Sequence, residues 1–322
     1  MKKRLCFVLA MSLLLPTFAA CGNTSKPSET PSTTAPAVTE PDHTAGMEAL
    51  NGKKVIFIGN SHTYYSHCVI NQKQSTVFQT RMGDKGIFYQ LCKNNGIEVE
   101  VTNYTFGSHQ LSDIYSGSCA AGKHNGHDHM ADIADFNYDY VILQQGTKAP
   151  ENDLVGDVEK MVAPFKEANP NVKVIFLVHQ LVYTRDYKWL EKVALLKDAG
   201  VTVVDWGGML HGIVKGTETI PGTKQTFNQN SFVISQSDSD GYHPNLLAGY
   251  ITALMTYCAI TGEQAEGQPW QFKNSDILSE SAIKNYRNSY YTYDPDTNFD
   301  AILMSETEMR GFQQLIDQYM AK

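Results

Sequence analysis

The sequence lacks several features that would place it in an obvious class. It has no cluster of basic residues, no internal repeat and no second Pro- and Ser-rich break after the first part of the chain. Its 26 Lys and Arg are outnumbered by 34 Asp and Glu, and the formal net charge is -8. An acidic chain without a basic patch does not suit the phosphate backbone of a nucleic acid. We therefore expect no nucleic-acid partner, and we expect residues 48–322 to form one domain.

The start of the chain has the pattern of an export signal. Basic residues at positions 2–4 precede the apolar run Leu5–Leu15, which is too short to span a bilayer. Small residues then stand directly before Cys21, and this end resembles a bacterial lipobox. The resemblance implies a signal peptide over 1–20 and a lipid on Cys21. The protein would then be exported and held on the extracellular or periplasmic face of a membrane without spanning it. An ordinary signal peptide with an incidental cysteine is the alternative.

Residues 21–47 have few large apolar side chains and are rich in Ser, Thr and Pro. Such a segment cannot bury enough surface to offset its ordering entropy. We expect it to be a semi-extended linker between the anchor and the domain.

Cysteine is scarce, with six in the chain. Cys6 would leave with the signal peptide and Cys21 would be the anchor. Outside the cytoplasm the remaining four allow three full disulfide pairings. Free, buried thiols are the alternative in a fold of this size. The four residues are Cys68, Cys92, Cys119 and Cys258.

Short apolar, β-branched runs alternate with helical patterns along the domain. Strands are predicted near 55–58, 97–102, 140–143, 172–178 and 201–204, and helices over 86–94, 155–168, 187–199 and 244–261. This alternation predicts an α/β fold with a mostly parallel five-stranded sheet covered on both faces. Ligands bind beyond the carboxyl ends of such strands. The residues just after Ile58, Phe106 and Leu143 are therefore the place to look for chemistry.

Three short segments carry the groups of a serine hydrolase. Ser61 follows a predicted strand and a tight Gly-Asn turn, so its hydroxyl can be presented at the sheet edge. Gly107 follows another strand and can offer its backbone N–H closely to a ligand. Near the C-terminus, Asp240 stands three residues before His243. A carboxylate at that spacing can fix the histidine tautomer and leave the other ring nitrogen to accept a serine proton. Asp238 competes with Asp240 for this orienting role.

These segments, in this order, resemble the SGNH (GDSL-like) hydrolase superfamily, and in particular an uncharacterised lipoprotein subfamily. Gly59-Asn60-Ser61 is similar to its Gly-Asp/Asn-Ser motif, and Asp240 to Pro244 to its Asp-x-x-His-Pro motif. The resemblance implies a three-layer α/β/α sandwich of flavodoxin-like type. It also implies a catalytic set without a metal or other cofactor: Ser61 as nucleophile, His243 as base, Asp240 as its orienting group, and the amides of Ser61 and Gly107 as oxyanion donors.

One segment departs from the family pattern. The family usually carries Gly-x-Asn-Asp after the third strand, and its asparagine side chain is an oxyanion donor. This chain has Gln144-Gln145-Gly146 followed by Thr147 and Lys148. A glutamine amide offers the same N–H chemistry from a longer stem. We therefore expect Gln145 or Gln144 to take that role. Substrate-pocket roles are expected for Asn60, His62 and His109.

A group of histidines with Asp128 and Cys119 offers an alternative, because imidazole and carboxylate suit zinc. The spacing matches no zinc-finger or zincin pattern, and we expect no metal. The histidines are His109, His124, His127 and His129.

Together these patterns predict a surface-anchored serine esterase, expected to be a monomer, that removes O-acyl groups such as acetyl from carbohydrates. The carbohydrate part rests on family and location, with the aromatic stretch Tyr286–Tyr293 as a candidate sugar-stacking segment. The alternatives are a lipase or thioesterase-like esterase, a glycan-binding lipoprotein without turnover, and a solute-binding lipoprotein.

Overall fold

A computed structural model describes ten stretches of the chain. They are 42–64, 68, 80–81, 86–117, 129–146, 153–179, 183, 188–233, 243–277 and 305–322. The predicted signal peptide, the predicted lipid-attachment residue Cys21 and most of the predicted linker lie outside these residues. The first described helix begins at Thr44, upstream of residue 48.

Six strands form a single sheet. In chain order they are β1 (Lys53–Gly59), β2 (Thr80–Arg81), β3 (Val99–Thr105), β4 (Tyr140–Gln144), β5 (Lys173–Leu177) and β6 (Thr202–Val204). The order across the sheet is β2-β3-β1-β4-β5-β6. All pairs are parallel except β2 with β3, which is antiparallel.

Ten helices are described. They are α1 (Thr44–Leu50), α2 (Ser61–Tyr64), α3 (Ile87–Asn94), α4 (Leu111–Ser116), α5 (Leu154–Ala168), α6 (Val193–Asp198), α7 (Trp206–Lys215), α8 (Leu246–Thr261), α9 (Asn274–Ile277) and α10 (Glu306–Met320). Short 3-10 turns cover Met130–Asp132, Lys188–Lys192 and Gln229–Phe232.

The helices cover both faces of the sheet. Alternate strand residues point to opposite faces. Val55, Phe57 and Ile142 belong to a core that also contains buried residues of α1, α3, α7, α8 and α10. Ile56, Ile58 and Leu143 belong to a second core built with α4, α5 and α6. The result is a three-layer α/β/α sandwich, and the predicted fold class is confirmed.

The predicted strands and helices are found within a few residues of their expected positions. Helices α1, α4, α7, α9 and α10 were not predicted, and two further differences concern a strand and a helix. The antiparallel edge strand β2 has two residues and no recognisable pattern in the sequence. The helix expected over 187–199 is divided into the 3-10 turn Lys188–Lys192 and α6. Neither difference alters the layers or the order of the parallel strands.

The strand order places one particular edge of the sheet at the centre of the fold. Without β2, the parallel strands follow the flavodoxin-like order, in which the direction of strand addition reverses between β1 and β4. Ile58 of β1 is in register with Tyr104 of β3 and Leu143 of β4. These three strands therefore end at the same level, and the residues that follow them share the crevice where ligands bind in such sheets.

Candidate active site

Ser61 is the first residue of α2, immediately beyond β1. Asn60 turns the chain: its backbone oxygen accepts from Thr63 N at 2.9 Å, and its side-chain Oδ1 accepts from His62 N at 3.0 Å. An asparagine that caps a helix in this way fixes the first turn. Ser61 is half-buried, and none of the described residues accepts a hydrogen bond from its backbone N–H. Ser61 therefore lies at the end of β1 with a backbone N–H that the described residues leave unused.

Gly59 lets the turn close because it has no side chain. A Cβ at this position would lie 2.6 Å from Thr63 Oγ1 and 3.1 Å from Gln144 Cβ. Both distances are shorter than ordinary van der Waals contact, so a larger residue would push α2 away from β4. The glycine of the Gly-Asn-Ser segment is therefore required by packing between two neighbouring strand ends.

Gly107 occupies the corresponding position beyond β3. Phe106 N donates to Gly59 O at 2.9 Å, which ties this turn to the end of β1. His109 N donates to Phe106 O at 3.2 Å, and His109 Nδ1 lies 3.0 Å from Gly107 O. Ser108 adopts a φ of 68°, in the left-handed region that favours glycine. The turn is held by several contacts, and the N–H of Gly107 is not used by any described group.

The two glutamines after β4 differ in what they contact. Gln145 Oε1 accepts from Leu111 N and from Gly146 N, both at 2.9 Å, and Gln145 Nε2 donates to Asp157 at 3.0 Å. The side chain is fully buried and holds α4 and α5 together. These contacts give Gln145 a structural task, and its predicted oxyanion role stays a prediction.

Gln144 is the better placed of the two for that role. Its Nε2 has a single long contact, 3.4 Å from Asn60 Oδ1, and its Oε1 has no hydrogen-bond partner within the described part of the chain. Strand alternation directs Gln144 toward the layer of α3 and α8, and Gln145 toward the layer of α4 and α5. The Nε2 of Gln144 is therefore less engaged in hydrogen bonds than that of Gln145.

His243 is brought to the same edge from the far end of the sequence. Its ring centroid lies 5.3 Å from that of His62, with 27° between the ring planes. The segment that carries it is fastened down: Asn245 N donates to Phe232 O at 3.1 Å, and Asn245 Nδ2 to Ser231 O at 2.9 Å. Asn245 also caps α8. His243 is half-buried and lies beside the chain neighbour of Ser61.

A second histidine also packs on His62, and no motif in the sequence singles it out. His179 follows β5, and its ring is stacked on that of His62, with centroids 4.6 Å apart and 6° between the planes. His179 is fully buried, and this burial lowers its pKa to about 3. The ring is therefore uncharged at neutral pH.

The residues expected to form a substrate pocket lie behind the strand edge. Asn60, His62 and His109 are 2%, 3% and 1% exposed. Asn60 Nδ2 donates to His109 O at 3.1 Å, so the turns after β1 and β3 are joined. The pocket roles of these three residues stay predictions, but their present contacts are those of supporting groups.

A separate aromatic cluster lies next to the Gly107 turn. The ring centroid of His129 lies 4.5 Å from that of Phe106 and 5.2 Å from that of His109. Tyr104 Oη donates a hydrogen bond to His129 O. Among the described residues no group of His, Cys, Asp or Glu is arranged to hold a metal ion. The other members of the histidine-rich segment, His124, His127, Asp128 and Cys119, lie outside the described residues, as do Asp238, Asp240, Lys148 and Tyr286–Tyr293.

Three of the four domain cysteines are described, and all three are buried. They are Cys68, Cys92 and Cys258. Burial raises the pKa of each thiol well above its usual value. A thiol held in its neutral form is a poor nucleophile. These cysteines are therefore packing residues.

In the described part of the chain, no helix combines the length and apolar character needed to cross a bilayer.

Comparison with known proteins gives similarity to solved structures alone. No family model matches the chain, and no curated protein matches it. A candidate GDSL-like lipase from Parabacteroides merdae is 14% identical over 67% of this chain and 98% of its own, with a TM-score of 0.43. A family two carbohydrate esterase from Clostridium thermocellum, solved with cellohexaose, is 15% identical over 66% of this chain and 65% of its own, with a TM-score of 0.40.

An extracellular lipase from Streptomyces rimosus is 9% identical over 64% of this chain and 99% of its own, with a TM-score of 0.40. Identities and TM-scores of this size do not assign the chain to a family. Its function has to be argued from its own residues.

Proposed function

We propose that the protein is a serine ester hydrolase with Ser61 as nucleophile and His243 as general base. The observation that carries the proposal is the convergence of the two residues: His243 packs on His62, the residue next to Ser61, at the switch point of the parallel sheet. A serine and a histidine that come from distant parts of a sequence and lie near one edge of a parallel sheet support the assignment of a nucleophile and its base.

The proposed reaction has two steps. Ser61 Oγ attacks the ester carbonyl carbon while its proton passes to His243, and the alcohol then leaves with that proton. A water molecule, deprotonated by His243, attacks the acyl-enzyme and releases the carboxylic acid and free Ser61. Asp240, which lies outside the described residues, is proposed to orient His243 on the strength of its three-residue spacing.

The negative oxygen formed in each step needs hydrogen-bond donors placed in advance. We assign this role to the backbone N–H groups of Ser61 and Gly107, which the described residues leave unused, and to Gln144 Nε2. The involvement of Gln145 in contacts with α4 and α5 supports the choice of Gln144. The third donor is thus an amide on a longer side chain than the usual asparagine.

The proposed substrate class is O-acylated carbohydrate at the cell surface. Support comes from the predicted export signal and lipid attachment at Cys21, which would place the enzyme where glycans are met, and from the aromatic stretch Tyr286–Tyr293. The usual asparagine donor is missing, with Lys148 in its aligned position, and this supports a second candidate, a glycan-binding protein with weak or no turnover.

The test of the enzyme uses the full chain in detergent micelles and p-nitrophenyl acetate. Turnover that is lost in Ser61→Ala and in His243→Ala, with circular dichroism unchanged, is the expected result. Equal rates in wild type and Ser61→Ala would reject Ser61 as nucleophile. No turnover in the wild type with any short-chain ester, together with binding of glycans by calorimetry, would favour the binding protein.

A second set of substrates separates the esterase classes. Release of acetate from acetylated xylan or acetylated chito-oligosaccharides, and a rate on nitrophenyl esters that falls from acetate to octanoate, is expected of a carbohydrate deacetylase. A rate that rises with acyl length would identify a lipase-like enzyme. Incorporation of labelled palmitate that depends on Cys21 tests the anchor.

A further inference from the structure

Three imidazole rings lie one against the next at the carboxyl edge of the sheet. The ring of His62 is stacked with that of His179 and with that of His243, with centroid distances of 4.6 Å and 5.3 Å. We call these residues the histidine stack. Each ring comes from a different element: His179 follows β5, His62 lies on α2, and His243 precedes α8.

At the inner end of the histidine stack, hydrogen bonds hold the backbone beside His179. Val178, next to His179, donates from its N–H to Val204 O at 3.0 Å, and its own oxygen accepts from Gly207 N at 2.9 Å. Both contacts fix the backbone that carries His179 to β6 and α7. The ring itself is fully buried and, because burial lowers its pKa to about 3, uncharged. His62 therefore packs on the uncharged ring of His179, whose backbone is held by its neighbours.

The outer end is where charge would develop. If His243 takes the proton of Ser61, it becomes an imidazolium whose face is covered by the ring of His62. A cation within about 6 Å of the centre of an aromatic ring is attracted by the electron density of that face, and the attraction grows when water is excluded. His62 is 3% exposed, so little water separates the two rings.

We propose that His62 is a positioning residue for His243: it holds the base in place by ring stacking and stabilises its protonated form. The ring of His179 packs against His62 and helps to hold it in this position. This inference rests on the proposed esterase mechanism. His62 acts through its flat ring and transfers no proton. A side chain that keeps the ring but cannot titrate should therefore replace it.

Two variants separate these roles. In full-length protein assayed with p-nitrophenyl acetate, His62→Ala is expected to lower kcat about ten- to thirtyfold, with KM within about twofold of wild type. His62→Phe is expected to restore kcat to at least about a third of the wild-type value, since a phenyl face replaces the imidazole face. If His62 itself carried the proton, the Phe variant would be as slow as the Ala variant.

A matched control removes a different stacked histidine, away from the histidine stack. His211 on α7 is stacked on Tyr183 with centroids 5.4 Å apart and 26° between the planes. His211→Ala is expected to leave kcat within about twofold of wild type, which would show that loss of an imidazole stack does not by itself slow the enzyme. Thermal unfolding of each variant checks that the folded protein is being assayed.

Ring NMR gives a readout that does not depend on turnover. Stacking on His62 should shift the Hε1 resonance of His243, identified by its loss in His243→Gln. This shift should disappear in His62→Ala and persist in His62→Phe. Unchanged His243 resonances in His62→Ala, or a kcat within twofold of wild type, would overturn the role of His62. Wild-type rates in Ser61→Ala would instead overturn the proposed mechanism, and with it the catalytic part of this inference.

Discussion

Gln145 Nε2 lies 3.0 Å from a carboxylate oxygen of Asp157, so the residue that follows β4 is fastened to α5. The other carboxylate oxygen of Asp157 accepts from Tyr115 Oη at 2.7 Å, and the oxygen of Gln145 caps the start of α4 through Leu111 N. A single buried amide thus joins β4, α4 and α5 beneath the proposed site. The first prediction follows from this junction.

Gln145→Ala should cost stability more than catalysis. The change leaves two backbone N–H groups and one carboxylate without their buried partner, and we expect the free energy of unfolding to fall by about 2–4 kcal/mol. Urea denaturation measures it. At a temperature where the variant is folded, kcat should fall less than tenfold. A loss of kcat of a hundredfold without loss of stability would return the oxyanion role to Gln145.

Gln144→Ala should show the reverse pattern. This side chain makes one long contact within the described chain, so its removal should cost less than about 1 kcal/mol of stability. If it supplies the third oxyanion donor, kcat should fall by about a hundred- to a thousandfold while KM changes little. Steady-state kinetics on p-nitrophenyl acetate decide this. Gln144→Asn serves as the control that keeps the amide but shortens its reach, and activity as low as in the Ala variant would show that reach is what matters.

Glu263 should make the stability of the domain depend on acid pH. Burial acts to raise the pKa of this carboxyl, but hydrogen bonds from His43, Tyr257, Gly46 and Gln268 outweigh it and hold the pKa below the usual value. A carboxyl whose pKa is lower in the folded state contributes its full stability above the unfolded-state pKa, and that contribution is lost as pH falls through the folded-state pKa.

Glu263→Gln is the corresponding test. At pH 7 the variant should be less stable than wild type by about 1–3 kcal/mol. The difference should shrink as pH falls below about 4.3, where the unfolded carboxyl begins to bind its proton. Urea denaturation at a series of pH values measures this, with Glu266→Gln on the exposed surface as the control. A difference that stays constant down to pH 3 would contradict the prediction.

Ser108 should be replaceable by glycine with a gain in stability. Its φ of 68° costs a residue with a Cβ about 1 kcal/mol or more, and glycine adopts this backbone freely. Ser108→Gly should therefore raise the free energy of unfolding by about 0.5–1 kcal/mol. The matched reverse change is Gly117→Ala, at a φ of 67° after α4, which should lower it by about as much. Loss of stability in Ser108→Gly would mean that the serine side chain makes a contact worth more than the strain.

The layers and the edge that carries the site followed from the sequence, because both are consequences of local patterns. Buried strand runs such as Val55–Ile58, separated by amphipathic stretches, leave few arrangements other than a covered parallel sheet. Once the sheet is parallel, the residues after Ile58 and Leu143 must meet, and the register confirms it.

Side-chain contacts between distant segments could not be predicted in this way. His179 is a single histidine after an apolar strand, and nothing near it in the sequence announces its contact with His62. The choice between Gln144 and Gln145 depends on which face of β4 each residue occupies, and a shift of one residue in the strand end reverses it. The last helix, α10, was also missed, although Ser305 and Glu308 form the capping box that marks its start.

Helix α8 is apolar on every side, and its residues from Leu246 to Cys258 are buried among α1, α3, α7, α10 and β6. The segment that leads into α8 carries His243. In a partly unfolded chain, neither this helix nor the proposed base is in place. Packing of the core around α8 and placement of His243 should therefore occur together. Heat inactivation should coincide with loss of the fold, and no soluble, partly folded form should still hydrolyse esters.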